Sequence, residues 1–88
     1  MKEEKYQVKW SDTAIDQLKK LEKKERKRII DKVESVSHDP FKHVKKLIGF
    51  NLFRLKIGSY RVIMSIEKEK MVIFVFQVGH RSTIYRNY

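Results

Sequence analysis

The chain has 88 residues, no cysteine, and 21 Lys and Arg against 11 Asp and Glu, a formal net charge of +10 at pH 7. That length fits one domain over residues 1–88 with a modest core, and the missing cysteines exclude disulfides and thiolate-bound zinc. So large a positive excess points to a polyanionic partner: nucleic acid, an acidic protein or a membrane surface.

Hydrophobic residues make up 41% of the chain, which excludes disorder throughout. The longest apolar run, from Met71 to Phe76, is far shorter than the about 20 residues a bilayer span needs. The charged start, Met1 to Lys5, has none of the features of a signal peptide. The expectation is a cytoplasmic protein that does not work in a membrane. Charge is also unevenly mixed. Residues 1–50 interleave 14 basic with 9 acidic side chains, whereas residues 51–88 hold 7 basic and 2 acidic, Glu67 and Glu69.

Residues 5–10 alternate apolar and polar, which predicts a strand with Tyr6, Val8 and Trp10 on one face. Ser11 or Asp12 is a fair N-cap for a helix over 12–21, where Ala14, Ile15, Leu18 and Leu21 recur at helical spacing. A second helix is expected over 23–37, with Ile29, Ile30, Val33 and Val36 as its apolar stripe. Asp39-Pro40 ends it, because the residue before a proline is pushed out of the helical region. The charged residues between Lys19 and Lys32 read as the solvated face of this helical hairpin, laced by i, i+4 pairs.

From Leu52 the hydrophobic period changes to two. Strands are expected over 52–57, 60–66 and 71–78. Gly58-Ser59 forms a two-residue type II′ turn, and Glu67 to Lys70 forms a polar turn. The 71–78 segment is apolar on both faces and should lie inside the sheet. The fold class is therefore α+β: a helical hairpin packed on one face of a mainly antiparallel sheet of about four strands, in the order β-α-α-β-β-β. The position of the first strand stays open, although lying beside 71–78 would shield both edges of that strand. Trp10, Phe41, Phe50 and Phe53 read as core.

The two-residue turn sets a register. Ile57 faces Tyr60, Lys56 faces Arg61, Leu55 faces Val62 and Arg54 faces Ile63. One sheet face then carries Phe53, Leu55, Ile57, Tyr60, Val62, Met64 and Ile66, and the other carries Arg54, Lys56 and Arg61. Opposed like charges repel, and a fold keeps such a fault where an anionic ligand compensates it. Gly79-His80-Arg81 leaves the last strand, with Tyr85 and Arg86 shortly beyond, so a phenol, an imidazole and several cations can converge on one phosphate. Scattered histidines without paired carboxylates make no metal site, and no cofactor motif is present.

These segments resemble the RelE/ParE toxin superfamily over nearly the whole chain. The likeness rests on the element order, on Phe53-Arg54-Leu55-Lys56 and Gly58-Ser59-Tyr60-Arg61-Val62, and on Val78-Gly79-His80-Arg81 with Tyr85-Arg86. Two features depart from the family pattern: Arg54 stands where some relatives carry Lys, and only three residues follow Tyr85. The resemblance implies a RelE-type toxin, a ribosome-dependent messenger RNA endonuclease, with Arg54, Lys56, Arg61, Arg81 and Tyr85 as its catalytic set. It also implies a cognate antitoxin, expected to be acidic. Lys45, Lys46 and Arg86 are the further candidates for RNA contact.

Cleavage of RNA needs a base for the 2′-hydroxyl, cations for the charge building on phosphorus, and an acid for the leaving 5′-oxygen. Tyr85 is the first choice for the base, since surrounding cations favour a phenolate. Arg54, Lys56 and Arg61 suit the middle role, Arg81 would hold the phosphate, and His80 is either a conventional acid or base or a structural residue. Two other readings share the sequence: a ParE-like, non-enzymatic inhibitor of DNA gyrase, and a plain RNA-binding module. Substituting Lys56 and Arg61 together by alanine is expected to abolish cleavage and leave the fold at least as stable. Cleavage should also survive chelation of metal ions.

Overall fold

The computed structural model describes residues 5–84. In chain order it contains β1 (Gln7–Trp10), α1 (Asp12–Lys19), α2 (Lys23–Val36), a 3-10 turn (Pro40–Lys42), β2 (Val44–Lys46), β3 (Phe53–Ile57), β4 (Tyr60–Glu67) and β5 (Val72–His80). The sheet order is β1-β5-β4-β3-β2, with β1 parallel to β5 and every other pair antiparallel. The α+β class is as the sequence implies, with five strands in place of about four. The added strand is β2, a Val-Lys-Lys segment too short to display a period of its own; its pairing with β3 makes it a strand.

The open position of β1 resolves beside β5, where Val8 pairs with Ile73 and Trp10 with Val75. Both edges of β5 are thereby paired, which makes it an interior strand; Ile73, Val75 and Val78 are buried under the helices, while Val72 and Phe74 on the other face are only half-buried. Ser11 joins this pair to the helices. Its hydroxyl accepts from the Ala14 N–H at 3.0 Å, capping α1, and donates to the Phe76 carbonyl at 2.8 Å.

The helices cover one face of the sheet. Ala14 and Leu18 of α1 and Ile29, Val33 and Val36 of α2 form one buried cluster with Leu55, Ile57, Val62, Met64, Ile73, Val75 and Val78. Each such side chain contributes roughly 1.5–3 kcal/mol by leaving water, so this one face dominates the stability. The aromatic expectations divide. Trp10 and Phe53 are half-buried against the core, whereas Phe41 and Phe50 are exposed, at 44% and 41%. Phe41 stands at the margin of the core, its ring edge-on to that of Phe53 at 5.6 Å.

Two local features set which side chain meets which face. The first is the β3–β4 turn, where Gly58 has φ +58°, the left-handed region a type II′ turn requires. A Cβ at Gly58 would also lie 2.8–3.1 Å from the Arg28 guanidinium, the end of an exposed flexible side chain that can swing aside, so it is the turn that requires glycine. Gly58→Ala is expected to cost about 1–2 kcal/mol, read as a lower midpoint in urea denaturation.

The second is a bulge in β5. Ile63 pairs with Gln77 and Met64 with Val75, leaving Phe76 unpaired. The alternation changes phase there. Ile73 and Val75 face the core before the bulge, and Val78 faces it afterwards. Gly79 therefore faces away from the helices, and His80 faces the same way as Val78. No helix among the described residues is long and apolar enough to cross a membrane.

Candidate nucleic-acid interface

The sheet face turned away from the helices carries two opposed pairs of cations. Lys56 faces Arg61 across β3 and β4, as the type II′ turn dictates, and Lys45 faces Arg54 across β2 and β3. Together with His43 these four line a pocket of about 330 Å³. None of the four makes an ion pair among the described residues, whose salt bridges lie elsewhere, as in Lys5–Glu34 and Lys27–Asp31. Opposed unit charges a few ångströms apart repel by roughly 0.5–1 kcal/mol even in water-like surroundings, and by more where the dielectric is lower. Such a pocket is preset for an anion.

Arg61 is the anchored member. It is only 7% exposed, and its Nη1 donates to the carbonyls of Gly58 at 2.8 Å and Tyr60 at 2.9 Å. The guanidinium is thus folded onto its own turn and fixed in place. Its Nε is buried and has no partner among the described residues. A buried donor left unmatched costs about 1–3 kcal/mol.

The other expected residues divide by position. Lys45 joins the cation face. Lys46 pairs with Phe53, which places it on the opposite side of the sheet. Arg81 lies exposed past the end of β5, its N–H donating to the Ser59 carbonyl at 2.8 Å, and it does not line the pocket. His80 pairs with Tyr60 and meets its ring edge-on at 5.9 Å, on the side away from Arg61. Tyr85 and Arg86 lie outside the described residues. His43 was not foreseen as a lining residue. It stands two positions before Lys45, and only recognition of β2 would have put the two on one face.

Lys56 also lines a second pocket, about 640 Å³, with Arg28, Asp31, Lys32, Ser35, Ile57 and Gly58. This pocket joins the end of β3 to α2 and mixes the cations Arg28, Lys32 and Lys56 with the carboxylate of Asp31, while Lys27–Asp31 and Arg28–Glu25 pairs lace the helix face. The described residues hold no group of three or more His, Asp or Glu placed to bind a metal ion.

The end of the described chain returns to the cation face. Gly79 pairs with Arg61, and Ile84, 5% exposed, sits against Gly79 with its Cδ1 2.9 Å from where a Cβ would be. Ile84 thus covers Arg61's neighbour, and the sequence continues from it to Tyr85.

The family model described as the ParE toxin of the type II toxin-antitoxin system, parDE, matches residues 8–85. No curated protein sequence matches the chain. Among solved structures, the toxin-antitoxin complex RelBE2 of Mycobacterium tuberculosis is similar with a TM-score of 0.83 and 25% identity, over 89% of this chain and 100% of that one. The archaeal RelE-RelB complex of Pyrococcus horikoshii is similar at 0.77 and 28%, over 91% and 99%. The intact RelBE toxin-antitoxin complex of E. coli is similar at 0.72 and 28%, over 85% and 95%. With the match running through the helices, the cation-bearing hairpin and the last strand alike, the chain belongs to the RelE/ParE superfamily of type II toxins, in its RelE-type branch.

Proposed function

We propose that this toxin is a metal-independent, ribosome-dependent endoribonuclease that cleaves messenger RNA. One observation carries the reading: four cations opposed in pairs around one pocket that no acid among the described residues lines. A phosphodiester supplies the charge and the acceptor that this pocket lacks. In the reaction the 2′-oxygen attacks phosphorus and gives up its proton to a base, for which Tyr85 is the choice. The bond from phosphorus to the 5′-oxygen breaks, and that oxygen takes a proton. The products are a 2′,3′-cyclic phosphate and a 5′-hydroxyl. Arg54, Lys56 and Arg61 stabilise the charge on the non-bridging oxygens at the transition state, where fixed donors gain most. Arg81, past the end of β5, is assigned to the phosphate, and Lys45 and Arg86 to neighbouring phosphates. No cofactor is required.

Its partner is a cognate antitoxin, as in the RelE-RelB and RelBE complexes it resembles. An acidic antitoxin that covers the cation face or displaces the C-terminal tail would offset the net charge of +10. Both toxin and target then belong in the cytoplasm. A second reading, inhibition of DNA gyrase without RNA cleavage, draws on the ParE description of the matching family.

Adding the purified toxin to a translation extract and mapping messenger RNA ends by primer extension tests the first reading. New ends should form on translated messages, and they should still form after chelation of ions that leaves the ribosomes intact. Intact messages together with blocked gyrase supercoiling would transfer the assignment to the second reading.

A further inference from the structure

His80 ends β5 on the side of the sheet opposite the cation pocket, yet its ring organises the chain that crosses to that pocket. Its Nδ1 lies 3.1 Å from the Ser82 backbone nitrogen and 2.8 Å from the Ser82 hydroxyl oxygen. A backbone N–H can only donate, so Nδ1 is the acceptor and the proton of the neutral ring resides on Nε2. The Tyr60 ring holds the imidazole edge-on. The Thr83 N–H donates to the His80 carbonyl at 3.0 Å, and the Thr83 hydroxyl donates to it at 3.3 Å. The result is a tight reversal in which one side chain and one carbonyl of residue 80 fix the next three residues. The reversal delivers Ile84 to Gly79, on the face of Arg61.

We propose that His80 is a positioning residue. Its neutral imidazole uses Nδ1 as an acceptor to shape the turn that seats Ile84 against Gly79, the strand partner of Arg61, and it takes up or gives no proton in the reaction. The activity part of this proposal rests on the ribonuclease reading; the turn itself does not. The bulge at Phe76 is what makes the role possible, because it turns the His80 side chain away from the cations.

Two substitutions separate positioning from proton transfer. In His80→Asn the side-chain oxygen can accept the N–H two residues on, as in an Asx turn, but the amide cannot serve as an acid or base. His80→Ala removes the acceptor. Amide hydrogen exchange at Ser82 and Thr83 reads the turn, and primer extension in the translation extract reads cleavage. The alanine variant should exchange faster at both amides and lose cleavage by about tenfold or more, since misplacement near 1 Å can cost a hundredfold. The asparagine variant should keep slow exchange and stay within about threefold of the parent.

An asparagine variant with protected amides and cleavage as poor as alanine's would overturn the proposal and make His80 an acid or base. Unchanged exchange in the alanine variant would overturn it as well. If the parent toxin cuts no message, the ribonuclease reading fails alone, because the exchange measurements still decide whether His80 builds the turn.

Discussion

Replacing Lys56 with alanine is expected to lower messenger RNA cleavage by about a hundredfold or more while leaving thermal stability unchanged or slightly raised. The two effects have separate physical origins. Lys56 is exposed, makes no ion pair among the described residues and directly opposes Arg61. Removing it relieves a repulsion and breaks no contact of the core. In a reaction that builds negative charge on phosphorus, the same ammonium is a preset counter-charge, and losing one such donor typically costs 10²–10³ in rate, or about 3 kcal/mol. The loss should fall mainly on kcat, because a charge that matters most at the transition state adds little to ground-state binding. Primer extension on a titrated message and a thermal melt check both halves. A Lys56→Ala protein that cut at the parental rate would remove this pocket as the reaction site.

Arg61→Ala should behave differently: loss of cleavage together with a loss of stability of about 2–3 kcal/mol, read as a lower urea midpoint at constant slope. Counting charges along the strands suggests that losing Lys56 and Arg61 together leaves the fold at least as stable. The burial of Arg61 overturns that for one of the two. Its guanidinium fills space at the turn and donates to two carbonyls, so alanine leaves a void and two acceptors short of a donor. Arg61→Lys should recover part of the stability and little of the activity, because an ammonium cannot reproduce a planar fork held on two carbonyls while a third donor stays available. The pair Lys56→Ala and Arg61→Ala thus distinguishes a cation that serves only chemistry from one that also serves structure.

The difference between these residues marks how far the sequence could be read. The type II′ turn was legible because Gly58-Ser59 fixes its length, and a fixed turn fixes every pair along β3 and β4, including Lys56 with Arg61. The second cation pair was not legible, since β2 has three residues and acquires its face only from β3. With it went His43 and the separation of Lys45 from Lys46. The facing of His80 was hidden for another reason. Strict alternation from Ile73 and Val75 would have put Val78 and His80 on the cation side, and a single unpaired residue, Phe76, reverses that count. Bulges leave little trace in composition, so a residue past one cannot be assigned a face from the sequence alone. Arg61 shows the same limit for burial: a charged residue reads as exposed until its own turn is seen to enclose it.

The pairing of β1 with β5 has a consequence for biogenesis. The contact from Ser11 to Phe76 spans 65 positions, and among the described residues β1 has no strand partner other than β5. During translation the first strand must wait, unpaired, until almost the whole polypeptide has emerged, and only then can the sheet close and Arg61 acquire Gly79 as its neighbour. Until then Val8 and Trp10 on one strand, and Ile73 and Val75 on the other, lack the neighbours that bury them.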